Sequence, residues 1–169
     1  MKKLNLKSIL ILLLLFGFSD INAQNGKVPQ PEFTNMPAFY IEGTTNLKNF
    51  SKEIVTMAGK MGGANFELQG PTSSARIKAS DPYLIIIKAG DSDPSIGLSL
   101  YKLTATKKKR QAQLARVSLS GKVDMSRDQI TYKIEKLEDK IYKIVPDKNL
   151  EKGEYGFMYG TAIYTFGIE

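Results

Sequence analysis

Hydrophobic residues recur at every second position in several short stretches of the chain. Ile96, Leu98 and Leu100 alternate with small or polar residues, and Phe66 and Leu68 do the same in an earlier stretch. A period of two places alternate side chains on one face of an extended strand. The pattern therefore predicts β-strands over most of the chain.

Two further stretches need arguments beyond alternation. Residues 83–87 form the most apolar run after the N-terminal segment, and their β-branched side chains and short length predict a buried central strand. Residues 47–57 carry apolar side chains at helical spacing, although residues 53–56 also have strand character. We expect a strand there, because the surrounding elements are β.

The predicted strands are separated by groups of Gly, Pro, Asn and Asp. About ten short strands at intervals of roughly 8–12 residues are typical of an all-β domain. We predict an antiparallel β-sandwich of immunoglobulin-like or Greek-key type, with a small β-barrel as the alternative. In this scheme residues 107–110 form a hairpin tip and residues 121–128 form a loop.

The N-terminal segment has the pattern of a secretory signal peptide over residues 1–23. Lys2, Lys3 and Lys7 precede a short apolar run, and Ala23 provides a small residue at the end. An uncleaved membrane anchor is the alternative, but the apolar run covers only about half of a bilayer core. We therefore predict export to the periplasm or the extracellular space, an extended Pro-containing leader at 24–37, and one domain at 38–169.

Composition excludes several kinds of chemistry. The chain has no His, Cys or Trp, which removes histidine triads, thiol nucleophiles, disulfides, Cys-ligated metals and the lipidated Cys of a lipoprotein anchor. Paired carboxylates remain open in principle, but only Glu67 lies in an apolar context. Asp91 and Asp93 resemble the start of a calcium loop without its Gly and closing Glu, so we expect an Asx turn. We predict no catalytic residue, no metal site, no cofactor and no transmembrane span after the signal peptide.

Positive charge is concentrated in residues 102–127. The whole chain carries 24 basic and 17 acidic residues; one acid and eight basic residues lie in this segment. The candidate ligand-binding residues are Lys107, Lys108, Lys109, Arg110 and Arg116. They favour an anionic partner such as a lipid or glycan surface, and a solvated hairpin tip is the alternative. We expect no nucleic-acid partner, because no aromatic residues interleave with the run.

The C-terminal part contains the most specific structural motif. Leu150, Gly153 and Tyr155, in the order Leu-x-x-Gly-Glu-Tyr, resemble a tyrosine corner, in which a buried Tyr hydroxyl bonds to the backbone a few residues upstream. Together with residues 144–146 and the ending Tyr-Thr-Phe-Gly-Ile, the motif resembles the C-terminal half of small exported proteins of Gram-negative bacteria. Lys152 stands where that group has Pro, and similar turns occur in immunoglobulin-like and transthyretin-like modules. The resemblance implies a β-sandwich and no activity.

These observations together favour an exported, non-catalytic binding or accessory domain of the cell envelope. Its partner would be an envelope protein or an anionic surface. The alternative is a structural component of an envelope assembly that docks through the edge of a sheet.

Overall fold

A computed structural model describes residues 28–60, 63–117, 120 and 122–169. The predicted signal peptide and the first residues of the predicted leader lie outside the described residues. Within them the fold is all-β, and no helix is long and apolar enough to span a bilayer. In chain order the strands are β1 (Ala38–Ile41), β2 (Leu47–Asn49), β3 (Ser51–Glu53), β4 (Thr56–Lys60), β5 (Gly63–Gln69), β6 (Arg76–Ile77), β7 (Tyr83–Lys88), β8 (Leu98–Ala105), β9 (Lys109–Val117), β10 (Val123–Met125), β11 (Gln129–Ile130), β12 (Tyr132–Glu138), β13 (Ile141–Pro146), β14 (Gly153–Tyr159) and β15 (Ala162–Ile168).

The smaller sheet has five antiparallel strands in the order β12-β13-β7-β1-β2. Strand β7 lies in its centre, as the apolar run at 83–87 predicts. Ile85, Ile86 and Ile87 are all buried, which explains why β7 is apolar on consecutive positions instead of alternating. The strand β12 forms one edge of this sheet, with a β-bulge between Lys136 and Glu138.

The larger sheet runs β3-β15-β14-β8-β9-β5-β4, with β10 and β11 paired to β9 and β8 and with β6 parallel to β15. Its two end strands, β3 and β4, are separated in the chain by Ile54 and Val55 alone. Three Cα steps span at most about 11 Å, so the two ends of the sheet are close together. The larger sheet therefore curls into a half-barrel.

One hydrophobic core lies between the two sheets. Phe39 of the smaller sheet packs edge-on against Phe166 of the larger sheet, with ring centroids 5.1 Å apart. Phe50 stacks on Phe166 at 4.5 Å. Ile85 and Ile144 extend the same core from the smaller sheet. Aromatic pairs of this kind stabilise a core beyond the area they bury, and they join the two sheets as a sandwich.

A second core fills the inside of the half-barrel. Phe66 and Leu68 of β5 pack there with Tyr101 and Leu103 of β8 and with Ile163. Leu98 and Leu100, on the opposite face of β8, belong to the first core. The alternation of apolar residues along β8 thus serves two cores, one on each face. The predicted all-β class is confirmed, and the curl of the larger sheet corresponds to the barrel-like alternative.

Two predictions of local structure are wrong in detail. The stretch 47–57 is extended, as expected, but it divides into three strands, because β2 joins the smaller sheet and β3 and β4 join the larger one. Residues 121–128 are predicted as a loop, yet β10 lies within them and pairs with the end of β9. Short strands that change partners explain why the chain has more strands than the predicted ten.

The described part of the predicted leader lies against the domain. The Asn35 N–H donates to the Lys88 carbonyl oxygen at 2.8 Å, and the Asn35 side chain donates to the Tyr159 hydroxyl at 3.3 Å. Pro31 and Pro37 are buried. Residues 28–37 are therefore held by contacts with strands of both sheets.

Candidate functional site

The five basic residues predicted to bind a ligand do not share one surface. Lys107 and Lys108 are exposed in the turn between β8 and β9. The Lys109 ammonium lies 2.5 Å from the Glu67 carboxylate on the neighbouring strand. Arg116 is exposed near the other end of β9, eight residues from Lys108. At about 3.4 Å per residue this separation is roughly 27 Å, so the predicted patch divides into two small groups.

Arg110 contradicts the prediction that it contacts a ligand, because its side chain is only 1% exposed. Its Nη1 and Nη2 atoms donate to the two carboxylate oxygens of Glu53 at 3.1 and 2.6 Å. Its Nε and Nη2 atoms also donate to the carbonyl oxygens of Gly70 and Gln69 at 3.1 and 3.0 Å. With these four hydrogen bonds inside the half-barrel, the Arg110 guanidinium has a structural role. The predicted hairpin tip therefore ends before Arg110.

The buried Arg110 belongs to a larger polar network inside the half-barrel. The Thr165 hydroxyl bonds to the Glu53 carboxylate and lies 2.9 Å from the Ser73 hydroxyl. The Ser73 N–H donates to the Glu154 carboxylate at 2.7 Å, and Glu154 lies 4.0 Å from Arg110. Every buried side-chain N or O atom of the described residues has a hydrogen-bond partner. Such a network is satisfied within the fold and offers nothing to a ligand.

The network continues to the last residue of the chain. Arg76 Nη1 donates to Glu154 at 2.6 Å, and Arg76 Nε donates to Glu169 at 2.8 Å. The hydrogen bond to Glu154 is the main cause that raises the pKa of Arg76. The hydrogen bond from Arg76 lowers the pKa of Glu169. The guanidinium crosses directly over Gly167, where a Cβ atom would lie closer than 3 Å to it, so a larger residue at this position would displace the Arg76 side chain from its ion pairs.

The motif at 150–155 has the geometry of a tyrosine corner. The Tyr155 hydroxyl donates to the Glu151 carbonyl oxygen at 2.8 Å, and the Tyr155 ring is only 1% exposed. The ring also packs over Gly153, 3.6 Å from where a Cβ atom would lie, and stacks on Phe166. Leu150 packs against the same core. These residues therefore have structural roles, as the sequence predicts.

The clefts that are open to solvent include three that are lined entirely by described residues. Two of them, about 420 and 470 Å³ in volume, flank the loop after β13 and share Lys148, Asn149 and Leu150. The first is lined by acids and bases that partly satisfy one another, such as Lys102 and Glu151 at 3.4 Å. The third, which we call the tyrosine groove, has a volume of about 510 Å³ and is lined by Asp93, Pro94, Ser95, Tyr132, Ile134 and Tyr142.

The tyrosine groove lies between the loop before β8 and the edge of the smaller sheet. Tyr132 and Ile134 of β12 and Tyr142 of β13 contact the first core and are only partly buried. The Tyr132 hydroxyl donates to the Leu98 carbonyl oxygen at 2.7 Å. Burial, with a smaller effect of Asp93, raises the pKa of Tyr132 to about 12. The groove thus has an aromatic and aliphatic floor. The Tyr132 hydroxyl in this floor is held by its hydrogen bond and stays neutral.

The rim of the groove carries the Asx turn that the sequence predicts. Asp93 Oδ1 accepts hydrogen bonds from the Ser95 N–H at 2.8 Å and from the Ser95 hydroxyl at 2.7 Å. These bonds lower the pKa of Asp93. Among the described residues no three acidic side chains are placed to hold a metal ion. The groove therefore combines tyrosine rings and the Ile134 side chain with polar groups of its rim, one of which is the Asp93 carboxylate.

This groove could not be predicted from the sequence, because its residues come from three separate segments of the chain. The alternation of Tyr132 and Ile134 with Lys133 and Glu135 indicates a half-buried strand. It does not show that this strand is at an edge, where the buried face opens to solvent.

These features define an all-β domain with a curled sheet, an internal ion-pair network and an open tyrosine groove. No family model matches the chain, and neither the curated proteins nor the solved structures include a significant match. The resemblance to small exported proteins of Gram-negative bacteria stays a prediction. The function is therefore argued from the geometry.

Proposed function

We propose that this chain is an exported, non-catalytic binding domain of the cell envelope and that the tyrosine groove is its binding surface. The observation that carries the proposal is the partial exposure of Tyr132, Ile134 and Tyr142. Ile144, which lies opposite Ile134 on β13, is buried in the first core, while these three residues line an open groove. Binding sites are commonly concave, mostly apolar and provided with a few polar groups.

Export is supported by the sequence of residues 1–23, which has the basic start, short apolar run and small final residue of a signal peptide. The absence of Cys from the chain agrees with a domain that does not depend on disulfides or a lipid anchor. Periplasmic and extracellular locations are both compatible with these features.

A binding role without catalysis at the tyrosine groove is supported by the state of the carboxylates. Glu53 and Glu154, which are the acids of the internal network, are held by Arg110 and Arg76 and line none of the three clefts. Asp93 is the single acid that lines the tyrosine groove. Hydrolysis by carboxylates needs a pair of them about 5–10 Å apart across the reacting bond.

The exposed Lys107 and Lys108 do not favour the anionic-surface alternative. Two lysines in a turn release few counterions on binding a polyanion. Arg110 is committed to Glu53, and Arg116 lies far along β9. The two lysines fit the alternative of a solvated hairpin tip.

The proposal can be tested by photo-crosslinking in cells that express the full chain. A photoreactive amino acid replaces Tyr142 in the groove, and a second strain carries it at Lys107 in the turn. Each of these two strains is also made with Ile134→Glu, which puts a charge into the groove. The matched control is Lys133→Glu, which changes the adjacent residue on the other face of β12.

We expect an envelope component to be cross-linked from position 142 and not from position 107. The product should be lost with Ile134→Glu and kept with Lys133→Glu, because only the first substitution changes the groove. Cross-linking from position 142 that is absent, or that is equal in the two variants, would overturn the proposal.

A further inference from the structure

The edge of the smaller sheet next to the tyrosine groove has free backbone groups. Among the described residues β12 pairs with β13 alone. The Asp147 N–H donates to the Thr131 carbonyl oxygen at 3.0 Å, so positions 131 and 147 form a hydrogen-bonded pair. In an antiparallel ladder such pairs alternate with pairs whose backbone groups point away.

This alternation assigns the backbone groups along β12. Lys133 and Glu135 direct their N–H and C=O groups toward β13, and Tyr132 and Ile134 direct theirs toward the free edge. Tyr132 lies opposite Pro146, which has no N–H to donate, so the assignment agrees with the sequence. No backbone hydrogen bond from another described residue reaches Tyr132 or Ile134 on that side.

The residues with free backbone groups are also the residues whose side chains line the groove. Tyr132 and Ile134 present four backbone hydrogen-bonding groups and two groove-lining side chains. In a neighbouring strand, the residue opposite Ile134 would place its side chain on the same face as Ile134. It would therefore lie beside the groove-lining side chain of Ile134.

Two other described sheet edges differ from β12 in this respect. Strand β2, at the opposite edge of the smaller sheet, has three residues. Strand β4, at the end of the larger sheet, carries the exposed Met57, but none of its residues lines one of the three clefts. Of these three described edges, β12 is the one whose alternate side chains line one of the three clefts.

We propose that the partner bound at the tyrosine groove is an extended peptide segment that adds to the smaller sheet as a strand beside β12, with an apolar side chain at every second residue. This inference rests on the proposed function and names its partner. Backbone hydrogen bonds would hold the segment, and the groove would select its alternate side chains. Lys136 lies 3.8 Å from Asp139, and Glu135 lies 3.2 Å from Lys143, so the exposed Lys133 is the charge on β12 that favours acidic residues in the segment.

The test uses the purified chain and a synthetic probe. The probe is a capped peptide of about nine residues that alternates threonine and valine and carries a glutamate at each end, a length that covers the strand. A second peptide has the same sequence with N-methyl groups on alternate residues, and a third is methylated on the remaining residues. In an extended peptide, alternate residues direct their N–H groups to opposite edges. One of the two methylated peptides therefore loses the N–H groups that would donate to β12, and the other keeps them.

The matched protein variants are Ile134→Pro and Ile134→Ala. Both remove the groove-lining side chain, but only proline removes the free N–H, and it leaves the bonds to β13 in place. Far-ultraviolet circular dichroism and urea unfolding establish that both variants fold.

We expect the unmethylated probe to bind and to shift the amide resonances of β12. Loss of two hydrogen bonds should weaken binding about tenfold for one methylated peptide. Ile134→Pro should likewise weaken binding clearly more than Ile134→Ala.

Other outcomes separate the two proposals. The strand-pairing inference is overturned if no peptide binds. It is also overturned if both methylated peptides bind as tightly as the unmethylated one and Ile134→Pro weakens binding no more than Ile134→Ala. In that case, cross-linking from position 142 that still depends on Ile134 would leave the groove as the binding surface, for a partner such as a saccharide. Loss of that cross-linking as well would overturn the proposed function itself.

Discussion

Replacing Tyr155 with phenylalanine tests whether the tyrosine corner stabilises the sandwich. The substitution keeps the ring, which is only 1% exposed and stacks on Phe166 with centroids 5.3 Å apart. It removes the hydroxyl that donates to the Glu151 carbonyl oxygen at 2.8 Å. The change in stability should therefore come from one hydrogen bond and the desolvation of its acceptor.

The magnitude follows from the surroundings of the acceptor. A net hydrogen bond contributes about 0.5–1.5 kcal/mol, and a buried acceptor left without a partner costs about 1–3 kcal/mol. Glu151 is exposed and lines the cleft of about 420 Å³ beside Tyr155, so water can reach its carbonyl oxygen. We expect the free energy of unfolding to fall by about 1 kcal/mol, the net contribution of one hydrogen bond.

The assay is equilibrium unfolding in urea with the full chain. The midpoint should shift to lower urea with an unchanged slope, because the buried surface stays the same. Tyr83→Phe is the control: Tyr83 packs on Phe39 in the same core, and among the described residues its hydroxyl has no hydrogen-bond partner. A Tyr155→Phe variant as stable as the wild type, or no less stable than Tyr83→Phe, would refute the reasoning.

Three other predictions concern the charged and titrating groups. Arg110→Met should lower stability by about 3 kcal/mol, because it leaves the Glu53 carboxylate without its cation, and the double variant with Glu53→Gln should recover most of the loss in urea unfolding. Glu169→Gln should make the acid limb of stability against pH shallower: the folded pKa of Glu169 is lowered by Arg76, so its contribution is present above the ordinary glutamate pKa and is lost as the pH falls. Tyr132→Phe should reduce the loss of stability in alkali, since the folded pKa of Tyr132 is raised from 10.0 to about 12 and its contribution is lost as the pH rises through that range. An unchanged pH profile in either variant, or a double variant as unstable as Arg110→Met, would contradict the corresponding assignment.

The parts of the fold that depend on local pattern were predictable. Alternation identifies β5 and β8, and the β-branched run identifies β7 as a central strand. The tyrosine corner was also predictable, because Gly153 and Tyr155 lie close together in the chain and their contact is local. In these cases neighbouring residues determine the backbone and its buried face.

The parts that depend on distant contacts were not predictable. Arg110 reads as one of four consecutive basic residues, and its partner Glu53 lies 57 positions away. One indication was present in the sequence: Arg110 is in phase with Ala112 and Leu114, which line the second core. The tyrosine groove was missed for a similar reason, because the edge position of β12 follows from the order of strands in the sheet and not from its own residues.

Amide hydrogen exchange along β12 shows whether the backbone groups beside the tyrosine groove are free and whether a peptide strand pairs with them. In the free chain the N–H of Ile134 should exchange much faster than those of Lys133 and Glu135, which bond to β13. Addition of the alternating threonine and valine probe should slow the exchange of Ile134 and leave Lys133 unchanged. Slow exchange of Ile134 in the free chain, or no change when the probe is added, would contradict the account.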